Sequence, residues 1–287
     1  MRSSALLFAV VALVVTAGSA SALMIDNAEV ESTTLEDGLG DWIDSWSANA
    51  TEPVWLGWQV PMVERRQTLC CGGHEGRRSR TRICHLEGPR RGLVITSGSD
   101  LQEMETDDLV VLVRAAAGKL TEMRAYSEGC HLDAGGRRLI WLDGVDPEES
   151  VGYLASLADQ VSALADEALM ALAMHATESA AERLVELSRQ SDKSQVRGEA
   201  LFWLAQSGAP QASMVIRSAV AEDPDEEVRE EAIFALGQLP EGEGLPVLLE
   251  LLRDGSQPAE IRQQALFWYV QSGDDQALDL IAEILGG

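Results

Sequence analysis

Positive charge is what this sequence has least of. Its 22 Lys and Arg stand against 47 Asp and Glu, a net charge of −25. That balance excludes a nucleic-acid groove or an anionic membrane surface as the main partner. Lysine is nearly absent, with Lys119 and Lys193 the only two, which reads as a bias of residue usage rather than as chemistry. Long apolar runs are scarce too. After Ala5–Val15 there is none, so no membrane span is expected in the mature chain, and that first run is too short for an ordinary span. Catalytic signatures are missing: no nucleophile elbow, phosphate loop, zincin helix, dinucleotide fingerprint or Cys-x-x-Cys redox motif. Asp107-Asp108 and the many Glu pairs read as surface, not as an acid–base dyad. No cofactor is expected.

What the chain does have is a repeat. Four segments share one pattern: they begin at Leu164, Val196, Val228 and Ile261, spaced 32, 32 and 33 residues apart. Each carries alanine four residues on (Ala168, Ala200, Ala232, Ala265). A large side chain follows (Leu169, Leu201, Ile233, Leu266), and another comes three later (Leu172, Leu204, Leu236, Tyr269). Offsets of 0, 4, 5 and 8 share one helical face, and the alanines let neighbouring helices approach. Ser207-Gly208, Leu239-Pro240 and Ser272-Gly273 break the first helix of each unit. A second helix follows, with Leu184, Ile216, Leu248 and Ile281 in matching positions. Asp225 is placed as a helix cap. One helix pair cannot bury its own apolar face, but a stack can, so the period predicts a solenoid. The expected fold class is α+β in two domains: a small β-rich N-terminal domain, then an α-solenoid.

The Val-Arg-x-x-Ala opening at Val196 and Val228, with Ile for Val at Ile261, resembles HEAT-like repeats, including those of the phycobilisome-lyase type. The first unit has Ala165 in place of Arg and is the least typical.

Five stretches are expected along the chain. Residues 1–22 read as a signal peptide, with Arg2, the apolar run and Ala20-Ser21-Ala22 as a small-x-small cleavage site. The mature chain would start at Leu23 and be exported, periplasmic or extracellular. Residues 23–52 are polar and read as a flexible leader with a short helical piece at Asp41–Trp46. Residues 53–145 read as a β-rich, cysteine-containing domain. In it Val54–Val60 is a strand, Gln67–Cys71 and Thr81–Leu86 form a hairpin around Gly72–Gly76, Leu109–Arg114 and Leu120–Tyr126 form a second around Ala117-Gly118, and Leu139–Leu142 is a last strand. Residues 146–160 read as a linking helix, with Asp146 as cap, Pro147 in the first turn and Glu149 closing a capping box. Residues 161–287 are the solenoid of about four helix pairs.

All four cysteines, Cys70, Cys71, Cys84 and Cys130, fall in the β-rich domain. An even number in an exported chain reads as disulfides. Adjacent Cys70 and Cys71 point to opposite faces of a strand, so one is expected to pair with Cys84 and the other with Cys130. The alternative is an enzyme or metal-binding protein with a zinc or thiol centre on Cys70, Cys71, His74 and Cys84, with His85 and His131 near. Arginines 65, 66, 77, 78, 80, 82, 90 and 91 form a basic run in an acidic chain, read as a solvated face before an anion site. His175 ends a helix and is assigned a structural role. The segment Tyr126–Gly136, Trp141-Leu142, Ser150, Cys70-Cys71 and Ala171–His175 resembles a group of secreted bacterial HEAT-repeat proteins with a β-rich N-terminal part. That resemblance implies architecture and address, not an activity.

Without a catalytic pattern, the expected function is a protein-interaction scaffold. Projecting the repeat places Glu186, Ser218, Glu250 and Glu283 in one row of the second helices. Glu182, Met214, Pro246 and Asp279 form a neighbouring row, and Arg253 lies one turn on. The expected binding residues are thus Glu182, Glu186, Glu250, Arg253, Asp279 and Glu283, and the expected partner is a basic protein or peptide. The aromatic pairs Phe202-Trp203 and Phe267-Trp268, with Phe234, recur at the repeat period and read as core or interdomain contacts.

Overall fold

The computed structural model describes residues 24–35, 38–63, 67–71, 83–87, 93–97, 108–160 and 162–273. The elements run β1 (Ile25–Thr34), α1 (Leu39–Asn49), β2 (Val54–Pro61), β3 (Gln67–Cys71), β4 (Ile83–His85), β5 (Leu93–Ser97), β6 (Asp108–Ala116), β7 (Lys119–Ser127) and β8 (His131–Asp143). Helices follow: α2 (Pro147–Gln160), α3 (Ala165–Met174), α4 (Glu178–Gln190), α5 (Ser194–Ser207), α6 (Ala212–Glu222), α7 (Glu226–Gly237), α8 (Leu245–Arg253) and α9 (Ala259–Gln271). This is the α+β, two-domain layout, a β-rich region followed by a helical solenoid.

The main sheet has the order β1-β8-β2-β6-β7, with β4 added beside β8. Strand β8 runs parallel to β1, β2 and β4, while β2–β6 and β6–β7 are antiparallel. The β6–β7 hairpin turns at Ala117 and Gly118, both with positive φ, as a tight strand connection requires. Strand alternation splits the apolar residues between two faces. Leu56, Trp58, Val111, Val113 and Met123 join the core shared with α2 and α3. Trp55, Val110, Leu112, Leu132 and Leu139 form a second core on the other face, closed by Cys84, Leu86 and Cys130. Gly57 sits between, where a Cβ would meet the side chains of Leu112 and Trp141 at 2.7 and 2.8 Å.

Three expectations for this region are corrected. Residues 23–52 are not a loose leader: β1 pairs along β8 from Ile25↔Leu132 to Thr34↔Asp143, and α1 buries Leu39 and Ile43. The strand is nearly all exposed because it lies at the sheet edge, where backbone hydrogen bonds rather than apolar burial hold it. Nor does Gln67–Cys71 form a hairpin with the stretch after the Gly-rich loop. Strand β3 pairs antiparallel with β5, and β4 pairs with β8. Finally, Asp146 Oδ1 does accept from the backbone N–H of Glu148 and Glu149, at 2.8 and 3.4 Å, but Glu149 closes no box with it. Its two carboxylate oxygens accept from Gly38 N and Leu39 N at 2.9 and 3.1 Å, capping α1 instead. A carboxylate on those unpaired donors also suits the positive end of the helix dipole.

The first helices of the solenoid, α3, α5, α7 and α9, pack side by side, and each second helix packs on the first helix of the next unit. The repeat positions are the core: Leu164, Val196, Val228 and Ile261 are at most 5% exposed, and Ala168, Ala200, Ala232 and Ala265 are fully buried. Gly208, with φ 71°, ends α5 in the left-handed conformation. Asp225 caps α7 by accepting from Glu227 N at 3.0 Å. The sheet meets the solenoid where β2 ends. Val63 N donates to Met174 O and Ala176 N to Pro61 O, at 2.9 and 3.0 Å. The signal peptide, the arginine run and the second helix of the last unit lie outside the described residues.

Candidate interaction surfaces

Each second helix turns one face to the first helices and leaves the other to solvent. Ala180, Leu184, Leu187 and Ser188 are the buried face of α4, so Glu182 and Glu186 on the opposite face are exposed. Glu250 and Arg253 are exposed on α8 in the same way. Two of these carboxylates are engaged by the chain itself. Arg183 donates to Glu186 within α4, and Arg217 of α6 donates to Glu250 of α8, each at 2.5 Å. Both pairs are about half exposed, so each contributes little to stability. Met214, 66% exposed, adds an apolar knob between the rows. Asp279 and Glu283 lie outside the described residues.

A second face, on the first helices, carries the more unusual chemistry. Three repeats place a carboxylate three residues after the repeat start: Glu167, Glu199 and Glu231. Three residues further on come Phe202, Phe234 and Phe267. The aromatic residues are not core. Phe202 and Phe234 are half-buried, and Phe267 is 54% exposed. Phe202 and Phe234 stack with centroids 5.6 Å apart and planes 3° from parallel. The ladder continues from Phe234 to Trp268 at 4.7 Å. Between α5 and α7 the face opens into a groove of about 360 Å³, lined by Glu199, Phe202, Glu227, Val228, Glu231 and Phe234 with Gly198 at its base. Gly198 has no side chain to fill it; a Cβ there would press on Glu231 at 3.2 Å.

Glu199 is under electrostatic pressure in this groove. Its Oε1 accepts from Gln195 at 2.8 Å, but its Oε2 is buried without a hydrogen-bond partner among the described residues. Burial, followed by the charges of Asp166, Glu167 and Glu231, raises its pKa despite the Gln195 hydrogen bond. Asp166 is held by Trp203, whose indole N–H donates to it at 3.0 Å.

Residues 184–267 match the family model of HEAT repeats. No curated protein matches the chain. The HEAT match runs from α4 into α9 and takes in both surfaces above. It starts after α3, whose unit lacks the repeat arginine. That arginine has a fixed task in the HEAT units: Arg197 and Arg229 each donate to a backbone carbonyl six residues back, Ser191 O and Asp223 O, at 2.9 and 2.8 Å.

The β-rich region before the HEAT repeats offers two further constellations. The cysteines stand in pairs, Cys70 with Cys130 and Cys71 with Cys84, at Cα separations of 5.6 and 5.4 Å that suit disulfides. His85 faces Asp133 and His131 faces Asp26, at 3.0 and 2.7 Å. Among the described residues no three acidic, His or Cys side chains group as metal ligands, and His74 lies outside them. The second constellation is interior. Trp58 Nε1 donates to Ser150 Oγ at 2.9 Å, and Ser150 Oγ lies 3.2 Å from His175 Nε2. A serine–histidine contact resembles the start of a nucleophile–base dyad. Here the serine is fully buried and spends an acceptor site on Trp58, while His175 Nδ1 has no orienting partner among the described residues. Burial lowers the His175 pKa to about 4, which makes it a poor base at neutral pH. The triplet is a structural lock between sheet and helices.

Proposed function

We propose that this protein is a non-catalytic scaffold, exported from a bacterial cell, whose HEAT-repeat solenoid binds a basic protein or peptide. The observation that carries the reading is the repetition of carboxylates at exposed positions of successive helix pairs. Summed weak contacts and long-range attraction follow from such a surface, not one activated group. The net charge of −25 points the same way. Export is supported by the basic start, apolar run and Ala20-Ser21-Ala22 of the sequence, and by the proximity of its cysteines in pairs.

The outer row of second helices steers the partner. Reversing Glu182, Glu186 and Glu250 to Lys together should slow association of a blocked arginine-rich peptide about tenfold at low salt, with the difference shrinking as salt is added. Folding should persist, because these charges are exposed. Unchanged association in surface plasmon resonance would remove the row from the reading. N-terminal sequencing of protein made with its full leader should begin at Leu23; a retained Met1 would remove export.

A further inference from the structure

We propose that the groove between α5 and α7 is an anchoring site for an arginine side chain of the partner, held between the carboxylates of Glu199 and Glu231 against the rings of Phe202 and Phe234. The proposal rests on the scaffold reading and adds a site on the opposite helix layer from the steering row.

Three features select the occupant. The groove holds about 360 Å³, at the low end of ligand-sized cavities and open enough to admit one long side chain with its neighbours. Its apolar lining is aromatic. The two phenylalanine rings lie 3° from parallel, so they present stacked faces and edges to one long, flat group. A guanidinium is planar, weakly hydrated and stacks on such rings, whereas an ammonium is a compact, strongly hydrated charge. The charge is complementary: Glu199, Glu227 and Glu231 surround the apolar lining, and none of the groove residues is basic. A hard metal ion would want six or more oxygen ligands in place of rings.

Glu199 supplies the strongest sign that something is missing. A buried carboxylate oxygen with no partner, among other carboxylates, is an arrangement the free protein would be better without. An incoming guanidinium supplies donors to that oxygen and offsets the repulsion at once. Gly198 keeps the entrance clear where any other residue would crowd Glu231.

The test uses the full chain and a short blocked peptide alternating arginine and alanine, with the same peptide carrying lysine or citrulline in place of arginine. Dissociation is read by surface plasmon resonance. The unmodified protein should hold the arginine peptide about fivefold longer than the lysine peptide, because only the guanidinium stacks. Citrulline, flat but neutral, should not bind measurably. Glu199→Gln with Glu231→Gln should speed dissociation about tenfold while leaving association mostly unchanged. That double variant should melt no lower than the parent, because it removes a carboxylate that burial disfavours. Phe234→Leu should erase the preference for arginine over lysine. Dissociation unchanged in the double variant, or no arginine preference in the parent, would overturn the groove. If charge reversal on the second helices alone abolished binding, the scaffold would stand and the groove would fall. If no peptide bound the parent, both would fall.

Discussion

Arg197 grips Asp223 through two hydrogen bonds, Nε to Oδ2 at 2.9 Å and Nη2 to Oδ1 at 3.0 Å. Both side chains are nearly buried, at 11% and 7% exposed. Asp223 also accepts from Asp225 N at 2.9 Å, at the link between two HEAT units. Burial pushes the Asp223 pKa up, but the Arg197 bond, the Asp225 N–H and the positive charges beside it outweigh that and lower it. A buried pair is costly to break, because the surviving charge is left unpaired.

Asp223→Ala should therefore destabilise the solenoid by about 3 kcal/mol, far more than Glu186→Ala or Glu250→Ala on the surface. Arg197→Lys should recover little of the loss, since a lysine cannot reproduce the fork or also reach Ser191 O. Urea denaturation at neutral pH checks both. Equal losses for the buried and surface variants would contradict the ranking.

At Gly57 the sheet tolerates no side chain. A Cβ there would stand 2.7 Å from Leu112, itself fully buried, and 2.8 Å from Trp141. Gly57→Ala should cost about 1–3 kcal/mol through overpacking, and Gly57→Val more, although valine is the better strand former. Thermal melts would show the order Gly, Ala, Val; a gain on Val would mean that intrinsic preference prevails.

The solenoid was legible because its core positions are the repeated ones. Ala200, Ala232 and Ala265 recur at the unit length and are buried for the reason the period implies. The β region was less so. Strand β1, written Ile25-Asp-Asn-Ala-Glu-Val-Glu-Ser-Thr-Thr34, has the composition of a solvated segment, and at a sheet edge it is held by backbone bonds that composition does not register. The Gly72–Gly76 run looks like a hairpin turn, but which strand receives β3 is decided by long-range packing. The groove was half legible. Glu199, Glu231, Phe202 and Phe234 recur at the repeat spacing, yet rings at that spacing are more often core. Only the approach of α5 to α7 over Gly198 leaves them partly open. The Glu149 cap on α1 spans over a hundred residues and has no local signal.

The cysteine pairing has a direct check. Under oxidising conditions, peptide mapping without reductant should recover Cys70 joined to Cys130 and Cys71 joined to Cys84. The first bridge closes a loop of 60 residues and the second one of 13. By loop-closure entropy the first should contribute about 4 kcal/mol and the second about 3 kcal/mol. Cys130→Ser should thus lower the melting temperature more than Cys84→Ser. Four free thiols in the oxidised protein would contradict the pairing.

His175 should give the fold an acid sensitivity of its own. It is 2% exposed, and burial lowers its pKa from 6.5 to about 4. The folded chain therefore binds that proton less readily than the unfolded chain does. Stability from this group is complete above pH 6.5 and falls as pH drops toward 4, by an amount on the order of 3 kcal/mol at the lower end. Asp223 and Glu87, whose pKa values are lowered, act in the same direction but in a lower window. Their contribution is present above the ordinary carboxylate range and is lost only as pH falls through their depressed values. The windows separate the causes. His175→Gln should be less stable at pH 7, because the Ser150 contact is replaced imperfectly, yet its stability should change little between pH 6.5 and 4.5 where the parent loses most. Chemical denaturation at several pH values measures both curves. Parallel slopes for parent and variant across that interval would show that His175 does not carry the sensitivity.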